Sequence, residues 1–289
     1  MKVLVIGNCQ ARPIASILEK ISPDVETLEP IILHLSDEND EEAHLNVIES
    51  ADLIFTQYTV DAFKPAHLRS SRLKETRPEK TFVWPNIFYA GQQPDLCYIT
   101  HVGTGRIKSP LDTYHDLDIL SDWYALQDVP FPFEKTSHDV IHQQSLTKLR
   151  DREVEACDVI VSDLIEEKYK SERLFFTFNH PSLSLLKAVA SRLIEVSGLS
   201  FKRSSKLMPE PLGRFVPRSI WDTDKLHQRV FSGSKIDLAD PNIALPGPPV
   251  KYSYKELVSL SHKCYEVQKS RLLDMEKLRF TPNYIMVQR

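Results

Sequence analysis

No stretch of the 289 residues approaches the roughly 20 consecutive apolar residues that a membrane span needs. Met1-Lys2 runs straight into Val3-Leu4-Val5-Ile6, a run too short for the apolar core of a signal peptide and followed by no cleavage site. Only four cysteines occur, Cys9, Cys97, Cys157 and Cys264, and no pair has Cys-x-x-Cys spacing. A disulfide framework and a zinc site are thereby disfavoured, and the expectation is free thiols in a reducing cytoplasm. Charge of one sign is missing too: 36 basic against 40 acidic residues leave a net charge of -4, which does not suit a whole-chain nucleic-acid binder. There is no internal repeat and no low-complexity tract.

Two common motifs are absent at the places where they would matter. The segment Gly7-Asn8-Cys9-Gln10-Ala11-Arg12 lacks the second and third glycines of G-x-G-x-x-G, and no Walker lysine follows. Bulky side chains there would hold a pyrophosphate away from the backbone. His138 and His142 have H-x-x-x-H spacing, but Asp139 stands where H-E-x-x-H needs its glutamate, and no third ligand is identifiable. Surface or packing roles are expected for both, and no metal is expected.

What is present is an ordinary globular composition, 42% hydrophobic and 26% charged, on a chain long enough for one large domain or a domain with an appendage. Val3 to Ile6 reads as a buried parallel strand, followed by a helix with Pro13 in its first turn and apolar positions at Ile14, Ile17, Leu18 and Ile21. Further strands are expected at 28–33, 51–56, 81–84 and 173–178, with helices around 44–48, 146–170, 186–198 and 253–278. Such alternation predicts an α/β fold with a mainly parallel central sheet flanked by helices. Residues 1–200 are expected to form the catalytic α/β domain, with an irregular insertion at about 99–142. Residues 201–289 are expected to be a loop-rich and helical C-terminal extension packed on it.

In parallel sheets, ligands bind beyond the carboxyl ends of the strands, so the strand exits are where chemistry is sought. Cys9 lies at the first exit, just before a helix, where backbone N–H groups and the helix dipole favour a thiolate nucleophile. A free cysteine is also a common core residue; its position favours function. His180, after the strand ending at Phe178, is the candidate base, with helix capping as the alternative role. Asn86 and Gln57 lie at two further exits, where amide N–H groups can donate to an oxyanion. His115 and His138 are lesser candidates for the base. Arg12 and the cluster Lys202-Arg203…Lys206 are candidate phosphate contacts.

The order of these features resembles the SGNH/GDSL hydrolases, with Cys9 in place of the nucleophilic serine and Asn179-His180-Pro181-Ser182 in place of the late histidine block. Thr177 stands where that superfamily has its aspartate. A narrower resemblance is to the WcbI family of capsule-polysaccharide biosynthesis proteins. Ile6-Gly7-Asn8-Cys9-Gln10, Trp84-Pro85-Asn86-Ile87 with Tyr89, and Phe178-Asn179-His180-Pro181-Ser182 carry it. The resemblance implies coenzyme A-dependent O-acetylation of a carbohydrate or sugar-nucleotide acceptor. Cys9, His180 and Asn86 would be catalytic, and Gln10, Arg12, Gln57, Tyr89, Lys202, Arg203 and Lys206 would contact acetyl-coenzyme A. The rival activity is a cysteine-dependent carbohydrate esterase or deacetylase of SGNH-like type.

Overall fold

The apolar run near the start forms strand β1 (Lys2–Gly7), in which Val3 to Ile6 have no solvent exposure. A strand covered on both faces needs no polar alternation. Helix α1 (Ala11–Ile21) follows, burying Ala11, Ile14, Ala15, Ile17, Leu18 and Ile21. Its Pro13 falls in the first turn, where the missing N–H has no intrahelical partner to lose. Then come β2 (Glu26–Thr27), β3 (Ile31–Ile32), α2 (Glu41–Ser50), β4 (Leu53–Gln57), α3 (Ser70–Thr76) and β5 (Thr81–Trp84). The computed structural model describes residues 1–131, 133–202, 208–222, 226–241, 245–283 and 286–288.

These strands form one parallel sheet. β4 pairs with β1 (Val3 opposite Leu53, Ile6 opposite Thr56), and β5 pairs with β4 (Gln57 opposite Trp84). On the other side of β1, β2 and β3 pair with its successive halves. A single strand over 28–33 is therefore not what forms. Pro30 stands between the two short pieces and has no N–H for a ladder. Leu4, Ile6 and Ile54 point to one face and share a core with Ile48 of α2 and Leu73 of α3. The chain leaves β1 toward β2 and β3, then returns to the opposite side for β4. That reversal makes the carboxyl ends of β1 and β4 a topological switch point.

The chain continues through β6 (Leu96–His101), β7 (Gly105–Arg106), β8 (Tyr114–Asp116), α4 (Leu117–Leu126), β9 (Phe133–Lys135), α5 (His138–Ala156) and α6 (Ser162–Lys168). After these come β10 (Phe175–Thr177), β11 (His180–Pro181), α7 (Leu183–Ser197), β12 (Val230–Gly233) and β13 (Val250–Ser253). The last elements are α8 (Tyr254–Val267), α9 (Lys269–Leu272), β14 (Leu278–Thr281) and β15 (Met286–Gln288). The chain divides into two compact units: residues 1–88, 146–174 and 180–212, and residues 89–145, 175–179 and 213–289.

In the first unit α7 packs on α1 and β5. Ser182 caps its start and Gly198, at φ 70°, ends it in the left-handed conformation, as the sequence suggests. Pro181 does not open the helix; it lies two residues ahead of it. The expected helix over 146–170 is two helices, because the buried Glu153 carboxylate accepts from the N–H groups of Val161 and Ser162 and so starts α6 afresh.

In the second unit the sheet is antiparallel: β14, β7 and β8 all pair with β6. The stretch 99–142, aperiodic in sequence, holds short strands and α4, whose Asp116 cap accepts from the N–H groups of Asp118 and Ile119. β7, β8 and β9 are too short to show a period, and β14, which pairs with β6, lies far along the chain. The expected helix over 253–278 ends at Val267. Gln268 there turns its side chain onto the backbone of Lys108, at 3.1 and 2.9 Å, and Leu278 joins β14 instead. Arg218 is held by Asp95, Asp116 and Asp118, with Lys135 against Asp95 and Asp118. Among the described residues, no helix is long and apolar enough to cross a membrane.

Candidate active site

The exits of β1, β4 and β5 lie side by side in the first unit and are joined by carboxamides. The backbone N–H of Asn8 donates to Gln57 Oε1 at 3.0 Å, and Gln57 Nε2 donates to Gln10 Oε1 at 3.2 Å. The Gln10 N–H closes the circuit by donating to Asn8 Oδ1 at 3.0 Å. Gln10 Nε2 donates to the Ile87 carbonyl at 2.8 Å, and Asn8 Nδ2 reaches Asn86 Oδ1 at 3.4 Å. Cys9 sits inside this circuit, partly exposed, as a free thiol. Gly7 is required beneath it: an added Cβ would lie 2.7 Å from Trp84 Cζ2 and 3.3 Å from Gln57 Cβ.

Gln10 in the turn and Gln57 at the end of β4 are both buried, and together they fix the turn's shape. Asn86 is partly exposed at the same edge. Two contributions were not singled out from sequence. Asn8 folds the turn through its own side chain, and an asparagine directly after a strand glycine is a legible signal for such an Asx turn. Trp84 underlies Gly7, which no local pattern reveals.

The expected thiolate is not what the surroundings of Cys9 favour. Burial pushes the Cys9 thiol from 9.0 up to about 11, outweighing the lowering effect of its backbone N–H. Burial likewise lowers His180 to about 4, so its imidazole is neutral at neutral pH. Cys9 lies in the turn that leads into α1, and His180 precedes α7; these two helices pack on each other. Thr177, in the aspartate's place, donates to Tyr114 Oη at 3.1 Å and Asn179 Oδ1 at 2.9 Å.

The remaining candidates are scattered. Arg12, in the first turn of α1, is exposed and meets the equally exposed Glu29 at 3.4 Å. Lys202 is exposed, but its backbone N–H donates to the carbonyl of Ile21, the last residue of α1. Eleven residues of helix, about 16 Å at 1.5 Å per residue, separate that end from the Cys9 end. Lys202 is thus not brought to the strand exits. Arg203 and Lys206 lie outside the described residues. Tyr89 belongs to the second unit and is fully buried, its hydroxyl 2.6 Å from His142 Nδ1. His115 is buried between Tyr265 Oη and the Ile107 carbonyl, at 3.1 and 3.0 Å, and burial lowers it to about 4. His138 lies 3.9 Å from Asp95. No group of three or more His, Cys, Asp or Glu side chains among the described residues is placed to hold a metal.

The first unit is thus an α/β body with a parallel sheet and a cysteine-bearing turn at its topological switch point, the place where such sheets commonly bind ligands. Residues 2–202 match the model of the polysaccharide biosynthesis enzyme WcbI. The chain belongs to the WcbI family of polysaccharide biosynthesis enzymes. No curated protein matches it in sequence. A solved WcbI structure shares its fold with a TM-score of 0.64 and 18% identity, over 94% of this chain and 92% of that one. That structure is described as a novel polysaccharide biosynthesis enzyme, the native protein without a disulfide bond between coenzyme A and one of its cysteines.

Proposed function

We propose that this protein is a coenzyme A-dependent acetyltransferase that O-acetylates a sugar or sugar nucleotide during capsule or exopolysaccharide synthesis in the cytoplasm. The observation that carries the reading is the partly exposed Cys9 thiol at the switch point, in a turn that carboxamides hold. The association of coenzyme A with a cysteine of the related structure supports coenzyme A as the donor. Residues 1–200 are proposed as the catalytic α/β domain, SGNH-like in the order of its site residues, with 201–289 as its extension.

Cys9 attacks the acetyl carbonyl, the sulfur–carbon bond of the donor breaks, and the thiol proton ends on the departing coenzyme A sulfur. One thioester replaces another, so the exchange is nearly isoenergetic. His180, neutral at neutral pH, then takes the proton of the acceptor hydroxyl as it attacks the Cys9 acyl group, and returns it to the Cys9 sulfur. With the thiol near 11 and the imidazole near 4, complete proton transfer between them before attack is uphill by about 10 kcal/mol, at 1.36 kcal/mol per unit. Proton movement must accompany bond formation.

That separation also supports a second reading, direct transfer from coenzyme A to the hydroxyl with His180 as base and Cys9 only positioning the reactants. Arg12 is the proposed phosphate contact nearest the site in sequence. Gln10 and Gln57 are assigned to shaping the turn, and Asn86 to the reacting groups. The hydrolytic alternative, an SGNH-like deacetylase, would release acetate without an acceptor. Cys9→Ser is expected to lose most transfer of radiolabelled acetyl to capsule-type sugars. Retention of the wild-type rate in that variant would remove the acyl-enzyme and leave direct transfer.

A further inference from the structure

Trp84, the last residue of β5, is fully buried at the same edge as Cys9. Its backbone is committed to the sheet, with its carbonyl accepting from the Tyr58 N–H at 2.7 Å. Its ring extends past Gln57 to lie under Gly7, with Cζ2 and Cη2 at 2.7 and 3.1 Å from where a Gly7 Cβ would be. Cζ2 is two bonds from Nε1, so the N–H edge of the indole lies close to the turn that carries Cys9.

Among the described residues, the Trp84 Nε1–H has no hydrogen-bond acceptor. The neighbouring amides of Asn8, Gln10 and Gln57 do have partners. A buried donor without a partner costs about 1–3 kcal/mol, and packing alone would be served by a ring without the N–H. Indole nitrogen is a donor only, so the group that satisfies it must be an acceptor. This excludes a cation and selects an oxygen such as that of an acyl carbonyl.

We propose that Trp84 Nε1–H donates a hydrogen bond to the carbonyl oxygen of the acyl group delivered to Cys9, and strengthens that bond as the oxygen gains charge. This rests on the acetyltransferase reading. No proton leaves the indole: the carbonyl π pair moves onto oxygen as the Cys9 sulfur–carbon bond forms, and returns as the bond to the coenzyme A sulfur breaks and that sulfur takes the Cys9 proton. Reaching the N–H takes a shift of the 8–10 turn, whose residues are held by side-chain bonds rather than by sheet pairing.

The test is two-dimensional NMR of the indole N–H groups in the full chain, whose three tryptophans are Trp84, Trp123 and Trp221. Trp84→Phe assigns the resonance; should it fail to fold, Trp123→Phe and Trp221→Phe assign it by elimination. Calorimetry measures binding of coenzyme A and acetyl-coenzyme A separately. We expect the Trp84 resonance to move downfield with acetyl-coenzyme A and much less with coenzyme A. Trp84→Phe should bind both within about threefold of wild type but transfer acetyl about tenfold to a hundredfold more slowly. Saturation with acetyl-coenzyme A that leaves the resonance in place would overturn the role of Trp84 and leave the acetyltransferase reading standing. Absence of any binding would overturn the acetyltransferase reading and the Trp84 role with it.

Discussion

Alkylation of Cys9 by iodoacetamide tests the electrostatics of the site without assuming a substrate. The reagent reacts with the thiolate, so its rate follows the ionised fraction. Raising the thiol from 9.0 to about 11 lowers that fraction at neutral pH about a hundredfold. Cys157 is also partly exposed, and burial raises it to about 12; Cys157→Ser removes it as a competing site. The measurement is the rate of carbamidomethylation of the Cys9 peptide by mass spectrometry between pH 6 and 10, beside a small thiol. The expected rate at pH 7 is about two orders of magnitude below the small thiol, rising tenfold per pH unit with no plateau. A plateau below pH 8 would refute the reasoning, because it would require a cation or donor that stabilises the thiolate in the ligand-free protein. Repeating the series with bound coenzyme A asks whether the substrate supplies that stabilisation.

Gly7→Ala should destabilise by about 1–3 kcal/mol through overpacking against Trp84 and Gln57. Urea unfolding reads it, and the loss should shrink in a Trp84→Phe background, where the ring atoms nearest the new methyl are gone. Arg218→Ala strands three carboxylates, among them the buried Asp116, which burial already raises to about 6 against the opposing pull of Arg218. A loss of about 3–5 kcal/mol in urea unfolding is expected at pH 7, and a smaller one at pH 5, where Asp116 can take up a proton. Equal losses at both pH values would remove Asp116 from the account.

The parallel sheet was legible because β1, β4 and β5 are short apolar runs, and each ends in one of the polar exits that form the candidate site. Thr81 to Trp84 forms the strand where the pattern places it. The antiparallel sheet was not legible, because β6 finds β14 about 180 residues later and neither carries a turn signal that links them. At the candidate site, position singled out Cys9, Gln57 and Asn86, and burial limits what each can do. The helix terminus suggested a thiolate; desolvation outweighs it. Gln57 looked like a free donor at an edge, yet both ends of its amide are used within the turn. Lys202 is placed by topology rather than by local pattern: a residue 193 positions after Cys9 returns to the opposite end of the same helix.

The carboxamide circuit around Cys9 has a direction. The Ile87 carbonyl accepts from Gln10 Nε2, which turns Gln10 Oε1 toward Gln57; that fixes Gln57 Nε2, and Gln57 Oε1 is left to receive the Asn8 N–H. Each amide thus inherits its orientation from the one before, and Gln57→Glu would set two acceptors against each other despite its matching shape. None of the linking groups ionises between pH 2 and 12. A pH–rate profile of this protein therefore records the reacting groups and not the frame that holds them.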